Sequence, residues 1–180
     1  ILRANGITDV RIQPIAGKLT DNYNPINKTV NLSEAVYSAT SVAAIGVAAH
    51  EVGHAIQHEK GYIPLSLRTA IIPVARIGSY AAWPLLIIGA FINSSTGVLL
   101  IQLGILAFAI AVVLQILTLP VEINASRRAV DQIEVLGILG DDEARGTKKV
   151  LKAAALTYVA SVAAAILQLL RLILLFGRRR

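Results

Sequence analysis

Cysteine and methionine are both absent from the 180 residues, and charge, aromatic rings and histidine are scarce. Without cysteine there is no disulfide and no thiolate ligand, so any metal must be held by nitrogen and oxygen. A chain that starts at Ile1 and holds no methionine reads as a piece of a longer product, with a signal or anchor segment expected in front of it. Charged side chains make up only 16% against 55% apolar residues, and the mean hydropathy is +0.65, far from a soluble average. A membrane protein is the expectation. The balance is basic, with net charge +6 and an isoelectric point near 9.9. Nucleic acid is not the expected partner, because the basic residues flank apolar runs and lack interleaved aromatics. Attraction to the anionic headgroups of a lipid bilayer accounts for them better.

Against this apolar background, two of the three histidines stand one helical turn apart in Val47-Ala-Ala-His50-Glu51-Val-Gly-His54-Ala-Ile-Gln57. This is the HExxH pattern of a zinc hydrolase. His50 and His54 would offer neutral ring nitrogens to one Zn²⁺, leaving room for a water made more acidic by the metal. Glu51, rotated off the ligand face but close to that position, is the natural general base. By residue frequencies the pattern arises by accident about once in a few hundred chains of this length. His58 lies eight residues beyond His50, about 12 Å along the axis at about 1.5 Å per residue, too far to share the ion.

The chain divides in the reading into one membrane-embedded unit, mainly α, with five stretches. Residues 1–32 are polar and turn-rich. Val10–Pro14 and Lys28–Leu32 alternate apolar and polar, which predicts a small antiparallel β-sheet. Its edge, near Gly17, Lys18, Leu19 and Thr20, is the candidate site for an extended peptide substrate. Residues 33–60 predict a short helix, capped by Asn31 or Ser33, and then the HExxH helix from Ser41 to Glu59, ended by Gly61. Its many alanines and glycines allow close approach of neighbouring backbones. Residues 69–119 predict a transmembrane hairpin. Its first arm is interrupted by Pro73, Arg76 and Pro84, so the spanning part begins near Ile77; the second arm, 97–119, is the cleaner. Residues 120–150 form a helical segment bearing Glu122, and 153–176 a third apolar helix.

Two histidines need a third ligand. Glu122 is the candidate, because an acidic residue directly after a membrane helix is unexpected unless paired or metal-bound, and the hairpin returns it to the side the chain left. Ala125 and Ala129 give it a small-residue face to pack near Gly53. The alternative is that Glu122 pairs with Arg127 or caps the next helix. Asp131 and Glu134 are candidates for orienting a histidine.

His50-Glu51-Val-Gly-His54-Ala-Ile-Gln57, with Leu19-Thr-Asp-Asn-Tyr-Asn-Pro25 before it and Leu119-Pro-Val-Glu122-Ile-Asn-Ala125-Ser126-Arg127-Arg128-Ala129 after it, resembles the bacterial neutral zinc metallopeptidases of the membrane over nearly the whole chain. These are similar in turn to the heat-shock membrane proteases and the CAAX prenyl proteases, in which a glutamate in an E-x-x-A-D motif completes the HExxH site. The resemblance implies His50, His54 and Glu122 as ligands of one Zn²⁺, Glu51 as base, and a membrane segment ahead of Ile1. Ser126 stands where those relatives carry aspartate, and its role beside the ligands, like that of Asn124, is left open by the departure.

The expected function is a zinc-dependent membrane endopeptidase acting on peptides or membrane proteins. Asn124, Arg127, Arg128 and Tyr158 are alternative donors to the oxyanion. A membrane scaffold or assembly factor with a vestigial or structural metal is the alternative; a transporter is disfavoured by the few ionisable groups in the apolar runs. Arg68, Arg127, Arg128, Lys148, Lys149 and Lys152 fall on the side of the HExxH helix and the Asn93–Gly97 turn carries no basic residue, so the catalytic side is expected in the cytoplasm of a multi-pass protein of the cell membrane. Arg178–Arg180 run against this rule if the last segment spans. Oligomeric state is not readable.

Overall fold

Alternation at the N-terminus becomes strands β1 (Arg11–Ile15) and β3 (Thr29–Ser33), with a three-residue β2 (Asn22–Asn24) between them in sequence. The structure, a computed structural model, describes residues 1–176. The expected antiparallel sheet is instead mixed, in the order β1-β3-β2. β2 pairs antiparallel with β3, whereas β1 runs parallel to it, Ile12 opposite Val30 and Pro14 opposite Leu32. The turn-rich stretch after β1 does not close a hairpin onto β3. It carries the chain past that position to lay down β2, and the tight turn comes afterwards, with Lys28 in the left-handed region at φ 51°. Pro14, which has no N–H to give, sits on an edge strand as it must. β3 is central and buried along its whole length.

Helix α1 is a single turn, Glu34–Tyr37. Ser33 precedes it as expected, but its side chain makes no capping bond; Ser33 N–H and hydroxyl both donate to Asp21, at 2.7 and 3.0 Å. Helix α2, Val42–Glu59, starts where Ser41 Oγ accepts from the Ala44 N–H at 3.2 Å. It stops at a left-handed Gly61, with Tyr62 N–H bonded back to the Gln57 carbonyl at 2.9 Å.

Three long helices follow: α3 (Ile63–Phe91), α4 (Ser95–Val135) and α5 (Asp141–Phe176). All run further than proline and charge suggest. Pro73 and Pro84 lie inside α3 and Pro120 inside α4, so the Glu122 segment is not a separate helix but the continuation of the second hairpin arm. In apolar surroundings a helix tolerates proline because unwinding would strand further polar groups. α5 begins twelve residues before its apolar run. Asp141, Asp142 and Glu143 occupy its first turn, where carboxylates complement the helix dipole, and Glu143 accepts from the Gly140 N–H.

By contacts the described chain forms two compact units. One comprises residues 1–66 and 120–157 and holds the sheet, α1, α2 and the adjoining parts of α4 and α5. Its core joins Ile7, Val30, Leu32, Val52 and Ile56 under the sheet, and Ala49, Ala129, Ile133 and Leu151 between the helices. The other comprises residues 67–119 and 158 onwards. There Gly78 and Gly104 bring the α3 and α4 backbones together: a Cβ on either would come within 3.0 Å of a carbonyl oxygen across the contact, Ala107 and Ala82 respectively. Only 17%, 28% and 11% of the most apolar stretches of α3, α4 and α5 is buried, and Trp83, Ile87, Leu103, Leu106, Leu167 and Leu170 face outward. Surface this apolar calls for lipid. The three helices are long and apolar enough to cross a membrane. The arginines at 178–180 lie outside the described residues.

Candidate metal centre

The wall of the site is made by small residues. A Cβ on Gly53 of α2 would stand 2.5 Å from the Ala125 carbonyl oxygen of α4, so the two helices meet with nothing but backbone between them. Ala125 and Ala129 are 0% and 1% exposed. This crossing lowers Glu122, one turn before Ala125, onto the histidine face of α2. His50 Nε2 lies 3.1 Å and His54 Nε2 3.7 Å from the same Glu122 oxygen, Oε2. One ligand atom from each of the three residues falls within 4.8 Å of the others.

Tetrahedral donors about 2.1 Å from a metal are separated by about 3.4 Å, so the two distances bracket what one Zn²⁺ needs. The chemistry of the donors agrees. Both rings present Nε2 inward because both Nδ1 atoms are held from behind, His50 by Ser126 Oγ at 3.0 Å and His54 by Gln57 Oε1 at 2.9 Å. At His54 the tautomer is dictated. Gln57 Nε2 donates to the Val121 carbonyl at 2.8 Å and to Asn124 Oδ1 at 3.0 Å, and since a carbonyl only accepts, the amide oxygen must be the atom facing His54. Nδ1 therefore carries the proton and Nε2 keeps a free lone pair, the form a metal requires.

Glu51 is 7% exposed beside this cluster. Burial pushes its carboxyl above the ordinary carboxylate range and the Glu122 charge adds to the rise; His54, His50 and a hydrogen bond from the Tyr23 backbone pull the other way without cancelling it. Burial disfavours charge on His54, but the Glu122 carboxylate, through hydrogen bond and charge, outweighs burial and raises the ring's pKa. Two carboxylates and two imidazoles thus share one enclosed spot.

The other sequence candidates fall as follows. Asn124 reaches the centre through Gln57 and also accepts from Arg128 Nε at 2.8 Å. Asp131 is exposed, about 13 Å along α4 from Glu122, and takes part in none of the histidine hydrogen bonds, so the structure does not bring it to the ligands. Glu134 is exposed as well. Arg127 is exposed, and Tyr158 belongs to the other compact unit. Gly17, Lys18, Leu19 and Thr20 lie in the loop between β1 and β2, with Leu19 96% exposed, rather than on a strand. The strand against Glu51 is β2. His58 stays outside the cluster, its Nδ1 2.7 Å from the Tyr23 hydroxyl. Two residues carry roles that sequence reasoning did not assign. Tyr23 lies in the Leu19–Pro25 stretch that carries the resemblance, but nothing in its spacing pointed to Glu51, whereas Gln57 was visible as a polar residue one turn beyond His54 on a helix of small apolar ones.

Two histidines one turn apart on one helix, closed by a carboxylate from a second, define a His₂Glu centre of the kind found in zinc hydrolases. The sequence profile of a family described as "Putative neutral zinc metallopeptidase" matches residues 1–177, and the chain belongs to that family. It is 48% identical over 176 residues to "Putative membrane protease YugP" of Bacillus subtilis (strain 168), covering 98% of this chain and 77% of the relative. No solved structure matches the chain. The relative's description and the three apolar helices together indicate membrane association.

Proposed function

We propose that this protein is a zinc-dependent membrane endopeptidase. The observation that carries the reading is the convergence of His50 Nε2, His54 Nε2 and Glu122 Oε2, with buried Glu51 beside them. Zn²⁺ held by these three side chains would supply Lewis acidity toward a water and a scissile carbonyl. Glu51 takes the proton from the attacking water and delivers it to the leaving amine, a task helped by a carboxyl whose affinity for the proton is above the ordinary. Gln57 and Ser126 hold the two rings, and Asn124 holds Gln57. Among the described residues β2 pairs with β3 on one side only, which leaves its other edge without a strand, and Tyr23 of β2 is close enough to Glu51 to influence it. An extended substrate would add to β2 there, with the exposed Gly17–Thr20 loop flanking it. In this reading the substrates are peptides or membrane proteins emerging from the bilayer, and the basic residues near the helix ends favour a cytoplasmic site.

The test is zinc content and cleavage of an unfolded protein substrate by the purified chain in detergent. Glu51→Gln is expected to keep zinc and lose activity by about 100-fold or more. Glu122→Ala is expected to lose zinc. Equal cleavage by wild type and Glu51→Gln removes the base assignment; zinc retained with no cleavage of any substrate favours a scaffold with a structural metal.

A further inference from the structure

A cavity of about 450 Å³, within the usual range for small-ligand sites, opens between α4 and α5, and none of His50, His54 and Glu122 is in its lining. Arg127, Lys148 and Lys152 line it, opposed by the single carboxylate of Asp131. Its apolar lining is Ile123, Val130, Leu151 and Ala155. Among the described residues none of the three cations is ion-paired. Cations crowded around one concavity repel one another, and an anion placed among them removes that cost.

The cavity also sits at a particular level. Lys152 directly precedes the apolar run 153–176, Lys148 lies one turn earlier, and Arg127 comes two turns after the α4 run ends at Leu119. A ligand satisfying both halves of the lining must be an anion with an apolar body, presented where apolar helices meet water. We propose that this cavity binds the headgroup of an anionic glycerophospholipid of the phosphatidylglycerol type. The phosphate lies among Arg127, Lys148 and Lys152, Asp131 accepts from a headgroup hydroxyl, and the start of an acyl chain covers Ile123 and Ala155. Three cations against one carboxylate select an anionic lipid over a zwitterionic one. Ser126 lines the same cavity while its hydroxyl meets His50, so the bound headgroup lies one side chain from the metal centre. The inference rests on membrane association and not on proteolysis.

Native mass spectrometry of the detergent-purified chain, titrated with phosphatidylglycerol, phosphatidylethanolamine or phosphatidylcholine of identical acyl chains, tests it. One phosphatidylglycerol should be retained per chain, at least tenfold more tightly than either zwitterionic lipid. R127Q/K148Q/K152Q should lose that preference, whereas R11Q/K60Q/K149Q, which removes the same charge outside the cavity, should keep it. Ala155→Phe, which fills the apolar lining and leaves every cation, should weaken retention as well. Equal loss in both triple variants, equal retention of the three lipids, or full retention by Ala155→Phe overturns the proposal. So does displacement of the lipid by millimolar inorganic phosphate, which would mark a site for free phosphate. Circular dichroism establishes that each variant is folded.

Discussion

Gln57 is 0% exposed and carries no charge, yet it fixes which nitrogen of His54 faces Glu122. Gln57→Leu removes that acceptor and leaves the His54 N–H unpaired in a buried place. Zinc affinity, read by competition with a chromogenic chelator, should fall about 10- to 100-fold with helicity unchanged. Glu51 makes a prediction about pH. In the metal-free protein burial raises its carboxyl above the unfolded value. Below the unfolded range the group is protonated in both states and costs nothing; as pH rises through the folded value, the folded chain must ionise a buried carboxyl and loses stability. With chelator present, the Tm of Glu51→Gln minus that of wild type should be small at acid pH and grow by a few degrees toward neutrality. A difference that stays constant with pH would mean the carboxyl is not held up by burial. That His50, Glu51 and His54 would gather at one spot was legible because all three lie on one helix, where spacing alone fixes the face. Gln57 was not, since an amide orients a ring only through partners, Val121 and Asn124, that come from another element.

At the scale of elements, the contact between α2 and α4 decides whether ligands from two helices can meet. Gly53→Ala would drive a methyl into the Ala125 carbonyl, which cannot rotate aside. The cost should be about 1–3 kcal/mol in thermal unfolding, with lowered zinc occupancy as Glu122 is displaced from the histidines. Gly46→Ala, whose methyl would crowd the buried Thr147 methyl at 2.9 Å, should cost less than Gly53→Ala, because it meets a side chain and not a backbone carbonyl and alanine favours a helix by about 1 kcal/mol over glycine. Equal effects at the two positions would show that the close crossing at Gly53 is not limiting. The small residues of α2 made such a crossing legible, and Ala125 and Ala129 located its other half. Strand direction was not legible: alternation at β1 and β3 reports which face is buried and is the same for parallel and antiparallel neighbours. Proline misled in the opposite way, since Pro73, Pro84 and Pro120 interrupt a helix in water far more readily than one in an apolar setting.

For the whole molecule, the absence of cysteine gives a clean background for mapping which side of the membrane each segment occupies. With single cysteines introduced at Ser94, Lys60 and Glu143, a membrane-impermeant thiol reagent on intact cells should label only the first, and should reach the other two after the membrane is opened. Labelling of Lys60→Cys in intact cells would reverse the proposed orientation. Helix α4 is continuous from Ser95 to Val135, about 60 Å, and a proline stands near its middle, two residues ahead of Glu122. Pro120 has no N–H for the Ile116 carbonyl, so this is the rod's softest joint. On the proposed reading, the carboxylate that would complete the metal site is thus carried just past the weakest point of α4, and bending of the apolar stretch before it would reach Glu122 only through Pro120.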